Sequence, residues 1–299
     1  MANIRQLDKR RKSVKNVRKI TRTMELIATA RFKKAMDRAA AATDYTKRIT
    51  SIVQDIANSG TDVSHALLTA HDTVDAMDML VLTANRGLCG GYNGSVVRAA
   101  TVRRNEIKKE IEAGQTRVSG KRGISALRFA GVPIEKTYTE FDDQPSFAAV
   151  AKIADELIER YISGKIDRVD IAYTKFITIS KQTVVVETLL PFASLAPAPN
   201  AGGAAEPVKA SGTRDIYEFL PSASGILEEV VPASFRARLF KCFLDAAVSE
   251  QIARMIAMKS ATENAGDIIK SLSRTYNRAR QSKITQEIME IIGGVEALG

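Results

Sequence analysis

The sequence predicts a central Rossmann-like α/β domain combined with a long antiparallel coiled coil of the N- and C-terminal helices. Three observations support this fold class. Residues 3–58 contain neither proline nor glycine, no proline follows Pro232, and strand-like and helix-like segments alternate between these two stretches. Because proline and glycine disfavour helix interiors, both ends of the chain are predicted to form continuous helices.

The predicted N-terminal helix covers residues 1–58 and carries an apolar seam. The seam follows heptad steps of four and three, the pattern of a coiled coil. Its members are Ala28, Phe32, Ala35, Ala39, Ala42, Thr46, Ile49, Val53 and Ile56. Nearer the start, the seam is predicted to shift phase and to pass through Val14, Val17, Ile20 and Met24. The alternative interpretation is two unrelated amphipathic helices that pack on a core.

The central domain is predicted to span residues 76–231, after a linker over residues 59–75. Its strands are expected at residues 77–84, 116–119, 134–138, 169–176 and 183–189, with helices at 95–112, 123–129 and 146–162. This alternation predicts a largely parallel sheet. The Pro, Ala and Gly composition of residues 191–213 predicts a mobile loop. An extended piece at residues 216–220 and a short helix at residues 225–229 are expected to lead into Pro232.

The last predicted element is a helix in residues 232–299, and about sixty helical residues at a rise of ~1.5 Å would run roughly 90 Å. Its apolar residues recur mostly at steps of three and four, so one stripe is expected to face a partner. They are Phe235, Leu239, Ala246, Ile252, Met255, Ala265, Ile269, Leu272, Tyr276 and Ala279, followed by Ile284, Ile288, Ile291 and Val295.

Charge and composition narrow the class of protein. The formal net charge of the 299 residues is +10, and the basic excess is concentrated in the N-terminal helix. Such a surface is expected to bind an acidic partner, either nucleic acid or an acidic protein surface. The two cysteines, Cys89 and Cys242, form no metal-ligand cluster and are interpreted as reduced thiols of an intracellular protein. Because no apolar run reaches the length of a membrane span, membrane association is expected only through partners.

The glycine-rich turn at residues 85–94 does not match a nucleotide-binding fingerprint. Gly87, Gly90, Gly91 and Gly94 do not fit the one, three and six spacing of a dinucleotide site, and the chain lacks a P-loop. These glycines are interpreted as a turn that needs small residues for close packing of a strand and a helix. His65 and His71 are interpreted as surface histidines. We therefore expect no catalytic residues, no metal and no cofactor, although a nicotinamide-dependent oxidoreductase and a nucleic-acid-binding coiled coil are alternative functions.

Motifs along nearly the whole chain resemble one known family, the γ subunit of the F-type ATP synthase. The motifs at the front and in the middle are Ser13-Val14-Lys15-Asn16, Lys19-Ile20-Thr21, Arg86-Gly87-Leu88-Cys89-Gly90-Gly91 and Leu189-Leu190-Pro191. The most specific agreement lies near the end, in Ala253-Arg254-Met255, Ala257-Met258-Lys259, Ala279-Arg280-Gln281 and Ile284-Thr285-Gln286-Glu287. Asn85 departs from the family, which more often has Asp at this position.

The resemblance implies a rotor shaft that is not itself catalytic. In the family the paired terminal helices turn inside a ring of three α and three β subunits, and the α/β domain sits with the ε subunit on the membrane c-ring. Ion flow through the ring thereby drives ATP synthesis at the cytoplasmic face of the bacterial inner membrane. The implied β-subunit contacts are Met24, Arg254, Arg280, Gln281 and Thr285, and Tyr217 is an expected ring contact. Apart from the resemblance, Arg254 and Arg280 would be interpreted as solvated charges on an exposed helix face.

Overall fold

The computed structural model describes residues 4–58, 65–71, 73–107, 113–192 and 223–296. The elements are α1 (Ile4–Asn58), β1 (Ala76–Leu82), α2 (Tyr92–Ile107), β2 (Ala113–Ser119), α3 (Lys121–Phe129), β3 (Lys136–Tyr138), α4 (Phe147–Ile162), β4 (Arg168–Thr178), β5 (Lys181–Leu190) and α5 (Ala223–Glu296). Long helices at both ends therefore enclose an α/β region in sequence, as predicted.

The strands form one five-stranded sheet in the order β3-β2-β1-β4-β5. The pairs among β3, β2, β1 and β4 are parallel, whereas β5 pairs antiparallel with β4. Helical crossovers connect the parallel strands. Only residues 179 and 180 separate β4 from β5, and a connection of two residues permits an antiparallel hairpin but not a crossover. The predicted largely parallel, Rossmann-like sheet is confirmed, and its order begins as in doubly wound folds.

Apolar residues cover both faces of the sheet. In β1, Met77, Met79 and Val81 belong to one buried cluster with α2 and α3, whereas Leu80 and Leu82 belong to a second cluster with α4 and α5. This division follows from the alternation of side chains along a strand. A strand buried on both faces is nearly continuously apolar, which is why it is recognisable in the sequence.

A charged network interrupts this apolar core. Asp78 of β1 is fully buried, and its Oδ2 accepts a 2.9 Å hydrogen bond from Nε of the buried Arg117 on β2. Arg117 Nη1 also donates to Glu156 Oε1 on α4 at 2.8 Å, and Arg160 Nη2 lies 3.4 Å from Asp78 Oδ1. Burial raises the pKa of the Asp78 carboxyl, although both arginines act in the opposite direction. Removing one partner of such a buried pair leaves a charge without compensation.

Asp167, just before β4, holds the backbone at the start of β1. Its Oδ2 accepts hydrogen bonds from the N–H groups of Asp75 and Ala76, each at 2.9 Å, and its Oδ1 lies 2.6 Å from His71 Nδ1. Burial alone would raise the pKa of Asp167, but the hydrogen bonds from His71 and the backbone outweigh it and lower the pKa. His71 also stacks on Tyr161 at 4.6 Å between ring centroids, so it is half-buried and hydrogen-bonded.

Helix α5 corrects the prediction that a short helix at residues 225–229 is separate from the long helix. The structure has one helix from Ala223 to Glu296, with Pro232 inside it. Proline lacks a donor and would normally break the helix here. However, Leu227, Val231 and Phe235 lie one turn apart on the same side, and all three are buried in the core around α4. Packing of this apolar face therefore stabilises the helix across the proline.

The chain divides into two compact units. The first comprises Met1–Arg31, Leu88–Gly90 and Gln251–Gly299, and the second comprises Phe32–Gly87 and Gly91–Glu250. The second unit contains the sheet and both buried clusters. The first unit contains the beginning of α1, three residues of the glycine-rich turn and the end of α5, and it is where the two terminal helices pair.

Candidate coupling surfaces

In the first unit, α1 faces α5 through a continuation of the predicted heptad seam, which is interrupted at the exposed Arg18. The seam positions that are partly or fully buried are Ile4, Leu7, Arg11, Val14, Thr21, Glu25 and Ala28, and the neighbouring Asp8 and Met24 are also partly buried. The predicted phase shift is wrong at Val17, which is 49% exposed, and at Ile20, which is 59% exposed, whereas Val14 and Met24 are partly buried. The helix is continuous into the buried positions Phe32, Ala35 and Ala39, so its earlier turns keep the same phase even where polar residues fall on the seam.

Polar pairs across the seam compensate for the missing apolar residues. Thr262 Oγ1 on α5 donates a 2.8 Å hydrogen bond to Thr21 Oγ1, and the Arg11 guanidinium lies 4.5 Å from the centroid of the Tyr276 ring. A cation over an aromatic face is attracted by the ring quadrupole. Since the earlier residue of α1 meets the later residue of α5, these two contacts also show that the helices run antiparallel, as predicted.

A basic groove runs between the two helices in the same region. It is lined by Lys15, Arg18, Lys19, Arg22, Thr23, Thr262, Glu263, Gly266, Asp267, Ile269 and Lys270. A Cβ on Gly266 would make ordinary contact with Arg18 Nε at 3.8 Å, so the Arg18 guanidinium lies against α5 at this glycine. Lysines and arginines outnumber carboxylates along this groove. We therefore expect the predicted acidic partner of the N-terminal helix to bind at this groove.

The five predicted β-subunit contacts differ in exposure. Arg280, Gln281 and Thr285 are exposed on α5, and Met24 of α1 is half-buried. Arg254 is only 7% exposed, so the interpretation of this residue as a solvated surface charge is wrong. As contacts with another subunit, all five residues stay predictions.

The last part of α5 carries an exposed apolar stripe. Ile284, Ile288, Ile291 and Val295 follow steps of four, three and four, and each is more than two-fifths exposed. The described part of α1 begins at Ile4, which lines a groove together with Tyr276. No described residue therefore covers the stripe beyond Ala279, and the available contact surface is that of a single helix.

The glycine-rich turn uses its glycines in different ways. Gly90 has a φ of 58°, and a Cβ on it would lie 3.8 Å from that of Ala257 on α5. Leu88 adopts a φ of 66° although it is not glycine, and its side chain is exposed. A Cβ on Gly87 would meet the Arg122 guanidinium at 3.2 Å, and one on Gly91 would make ordinary contact with Ser95. Among the glycines of this turn, only Gly90 thus has a left-handed backbone conformation.

Sequence reasoning missed a closer approach, which occurs after β2. Gly120 has a φ of 99°, and a Cβ there would lie 2.1 Å from the carbonyl oxygen of Thr83, at the end of β1. Thr83 Oγ1 in turn accepts a 3.0 Å hydrogen bond from the N–H of Gly123. The signal in the sequence is the pair of glycines at the start of α3, Gly120 and Gly123.

Asn85 closes the same end of the sheet. Its Nδ2 donates to the carbonyl oxygens of Thr139 and Phe141, at 3.0 and 2.9 Å, and its Oδ1 accepts from the N–H of Lys121 at 3.1 Å. A carboxylate at this position could accept from Lys121 but could not donate to the two carbonyls. The amide therefore suits this chain better than the aspartate that the resemblance led us to expect.

Tyr217, the expected ring contact, lies outside the described residues, as does the predicted loop beyond residue 192. Within the described ranges, no helix is both long and apolar enough to cross a membrane, and no three side chains of His, Cys, Asp or Glu come together as a metal site.

Comparison with known proteins identifies relatives over the whole length. The family model described as ATP synthase matches residues 3–298. An ATP synthase gamma chain from Rhodopirellula baltica is 59% identical over 298 residues, covering 100% of this chain and 99% of the relative. An ATP synthase gamma chain from Saccharopolyspora erythraea is 37% identical, covering 100% of this chain and 98% of the relative.

Solved structures share the fold at lower identity. A chain of the Euglena gracilis mitochondrial ATP synthase, in an OSCP/F1/c-ring assembly in rotational state 3, aligns with a TM-score of 0.66 and 18% identity, covering 99% of this chain and 94% of that chain. A chain of the rotor from the same organism aligns with a TM-score of 0.61 and 17% identity, covering 94% and 98%. These likenesses confirm the predicted fold class.

Proposed function

The chain belongs to the ATP synthase gamma-chain family, and we propose that it is the central rotor subunit of a bacterial F-type ATP synthase. The observation that carries the proposal is the 59% identity to a gamma chain over the full length of both proteins. The paired helices of the first unit form the shaft, and the sheet-containing unit is the part that is turned by the membrane ring. Rotation driven by ion flow thereby couples to ATP synthesis.

The shaft acts through contacts that depend on its orientation. A rotor can shift a surrounding subunit between conformations only if it binds those conformations unequally. Successive residues of a helix point about 100° apart, so Arg280, Gln281 and Thr285 face different directions around α5. One orientation of the shaft therefore offers hydrogen-bond donors to one β subunit while the opposite side offers other groups. Because of this asymmetry, rotation of the shaft changes the nucleotide affinity of each β subunit in turn.

We propose further that the chain catalyses no reaction itself. Its glycine-rich turn lacks the spacing that cradles a pyrophosphate, and the close packing at Gly120 fills the end of the sheet with protein atoms. Equilibrium dialysis of the isolated chain with labelled ATP, ADP and NAD tests this proposal. Retention of any of them at micromolar concentration, with loss of binding on substitution in the turn, would contradict it.

The partners follow from the same family membership. They are three α and three β subunits around the shaft, with the ε subunit and the c-ring at the sheet-containing unit. The solved structures that share the fold belong to rotor and F1/c-ring assemblies. The chain is thus held at the cytoplasmic face of the inner membrane through its partners. Crosslinking from a cysteine introduced at Tyr217 should reach ε or c, and products exclusively with α or β would contradict this placement.

Reconstitution tests the function as a whole. A tagged copy of the full chain is produced together with the α and β subunits of the same organism, and the eluted species is analysed for stoichiometry and ATPase activity. We expect one copy of this chain with three α and three β subunits, and rotation of a probe attached to the chain during hydrolysis. Elution of the chain alone, or with nucleic acid at physiological salt, would contradict the rotor and support a nucleic-acid-binding protein.

A further inference from the structure

Both histidines of the chain lie in one short segment, residues 65–71, between α1 and β1. We call this segment the histidine clip. Its central residue, Leu67, is fully buried in the same cluster as Val53 of α1 and Tyr161 of α4. The carbonyl oxygen of Leu67 also accepts a 2.8 Å hydrogen bond from the N–H of Phe192. The clip is therefore fixed to the core of the sheet-containing unit.

The first histidine binds the backbone of the clip through an unprotonated nitrogen. His65 Nδ1 accepts a 3.1 Å hydrogen bond from the N–H of Leu67, so the neutral ring carries its proton on Nε2. The carbonyl oxygen of His65 accepts from the N–H groups of Leu68 and Thr69, at 2.8 and 3.3 Å, and completes the turn. A proton on Nδ1 would convert this nitrogen from an acceptor into a donor. The N–H of Leu67 would then lose its partner.

The second histidine responds to a proton in the opposite way. The lowered pKa of Asp167 keeps its carboxylate ionised in the range where histidines titrate. Because an ionised carboxylate only accepts hydrogen bonds, His71 Nδ1 is the donor to Asp167 Oδ1 at 2.6 Å. Protonation of His71 therefore keeps this hydrogen bond and strengthens it. The Tyr161 hydroxyl also donates a 2.8 Å hydrogen bond to the carbonyl oxygen of Thr69, so this half of the clip stays fixed in acid.

Burial and neighbouring charges set the pH at which His65 takes up a proton. Burial lowers the pKa of His65 from its ordinary value of 6.5, although the carboxylate of Glu228 on α5 acts in the opposite direction. Tyr161 from α4 and Asp167 from the start of β4 face the other half of the clip, and burial raises the pKa of Tyr161, so its hydroxyl stays neutral. The open clip thus binds a proton at His65 more tightly than the closed clip. Opening becomes more favourable as the pH falls below 6.5.

We propose that the histidine clip is an acid-sensitive latch that opens at one end. Protonation of His65 releases Leu67 and the start of the clip from the core, while His71 stays bound to Asp167. Opening loosens the connection between α1 and β1 but leaves the sheet intact, because no strand residue takes part in the hydrogen bond that breaks. The latch goes beyond the proposed rotor function, since it gives the chain a response to pH that requires no partner.

Amide exchange of the full-length chain tests the latch. Hydrogen–deuterium exchange of the peptide that contains Leu67, Leu68 and Thr69, corrected for the intrinsic pH dependence of exchange, gives the opening constant of the clip. This constant should rise at least about fivefold between about pH 7.5 and about pH 5. The upper limit is about thirtyfold, which an ordinary histidine pKa in the open state sets. The peptide of β1 should remain more protected than the clip at every pH, because local opening does not unfold the sheet.

Two variants separate the roles of the histidines. His65→Asn keeps an acceptor, because an asparagine side chain accepts from the N–H two residues later, but it does not titrate. Its opening constant should change less than about twofold over the same pH range. His71→Gln is the matched control, because it removes the other histidine. It should open more than the unmodified chain at every pH but retain the rise on acidification.

The ring signals of the two histidines provide a measurement that needs no variant. In an NMR titration of the unmodified chain, one of the two should titrate below the ordinary pKa of 6.5. Two signals that both titrate at or above this value would overturn the proposal. So would a rise in the opening constant that persists in His65→Asn, a rise below about fivefold in the unmodified chain, or equal exchange of the clip and β1. These measurements use the free chain, so their outcome does not depend on the rotor function.

Discussion

Replacing Arg280 and Gln281 by alanine should separate the stability of the chain from its action on other subunits. Both side chains are exposed, and no described residue forms an ion pair or a hydrogen bond with either one. Exposed substitutions of this kind change the free energy of unfolding by less than about 0.5 kcal/mol. Alanine is also a better helix former than the residues that it replaces. The variants should therefore fold and assemble normally.

The expected loss is in turnover. If a charged hydrogen bond from α5 forms with only one conformation of a β subunit, its removal costs about 1.5–3 kcal/mol, or roughly ten- to a hundredfold in a rate that depends on it. Arg280→Lys should recover only part of the rate, because an ammonium cannot form the paired hydrogen bonds of a guanidinium with a carboxylate. ATP synthesis in reconstituted vesicles should fall together with hydrolysis.

Steady-state ATPase activity of fully assembled complexes provides the measurement. Arg278→Ala serves as the matched control, because Arg278 is an exposed arginine two positions away on a different side of the helix. It should change turnover by less than about twofold on the same reasoning. Unchanged turnover in both Arg280→Ala and Gln281→Ala would refute the coupling role and leave these residues as solvated helix surface.

Three further predictions concern the sheet-containing unit. Arg117→Met leaves Asp78 buried beside a single remaining arginine and should lower the free energy of unfolding in urea by about 3–5 kcal/mol; a loss below about 1 kcal/mol would contradict the role given to the network. Because the folded-state pKa of Asp167 is below its ordinary value of 3.8, its carboxylate stabilises the fold at neutral pH and this contribution disappears as the pH falls below that value. Asp167→Asn should thus be less stable than the unmodified chain at neutral pH but lose less stability on acidification. Urea titrations that give the same pH dependence of stability for both chains would contradict this prediction. Gly120→Ala should destabilise the chain far more than Gly131→Ala in thermal unfolding, because both positions have a positive φ but only the first has a carbonyl oxygen 2.1 Å from the new carbon.

Elements with a strong local pattern were predictable from the sequence. Strand β1 is an apolar run with a single carboxylate, and the buried seam from Ala28 to Val53 has regular heptad steps. In both cases each residue is placed by its own hydrophobicity and by its neighbours in the same element. The starts of α2, at Tyr92 instead of residue 95, and of α5, at Ala223 instead of residue 232, were less accurate because packing decides how far a helix continues.

Features that depend on distant partners were not predictable. Thr21 can lie on the seam because Thr262, 241 positions away in the sequence, provides a hydrogen bond, and the periodicity of α1 alone instead favoured Val17 and Ile20. Burial of Arg254 likewise contradicts what its charge indicates. For the candidate contacts, family resemblance selected Arg280 and Gln281, whereas the structure supplies only their exposure. Residues that contact another chain therefore cannot all be identified from the forces that fold this chain.

The buried core of the sheet-containing unit cannot be completed until the ribosome has synthesised α5. Val53 of α1 and Leu239 of α5 belong to the same buried cluster, yet the ribosome adds about 180 residues between them, which takes roughly 10 to 40 s at bacterial and eukaryotic rates of about 5–20 residues per second. During this interval the apolar side of α1 has no final partner and is available to chaperones or to aggregation. Shortened chains that end before α5 should therefore be poorly soluble, even though they contain every strand of the sheet.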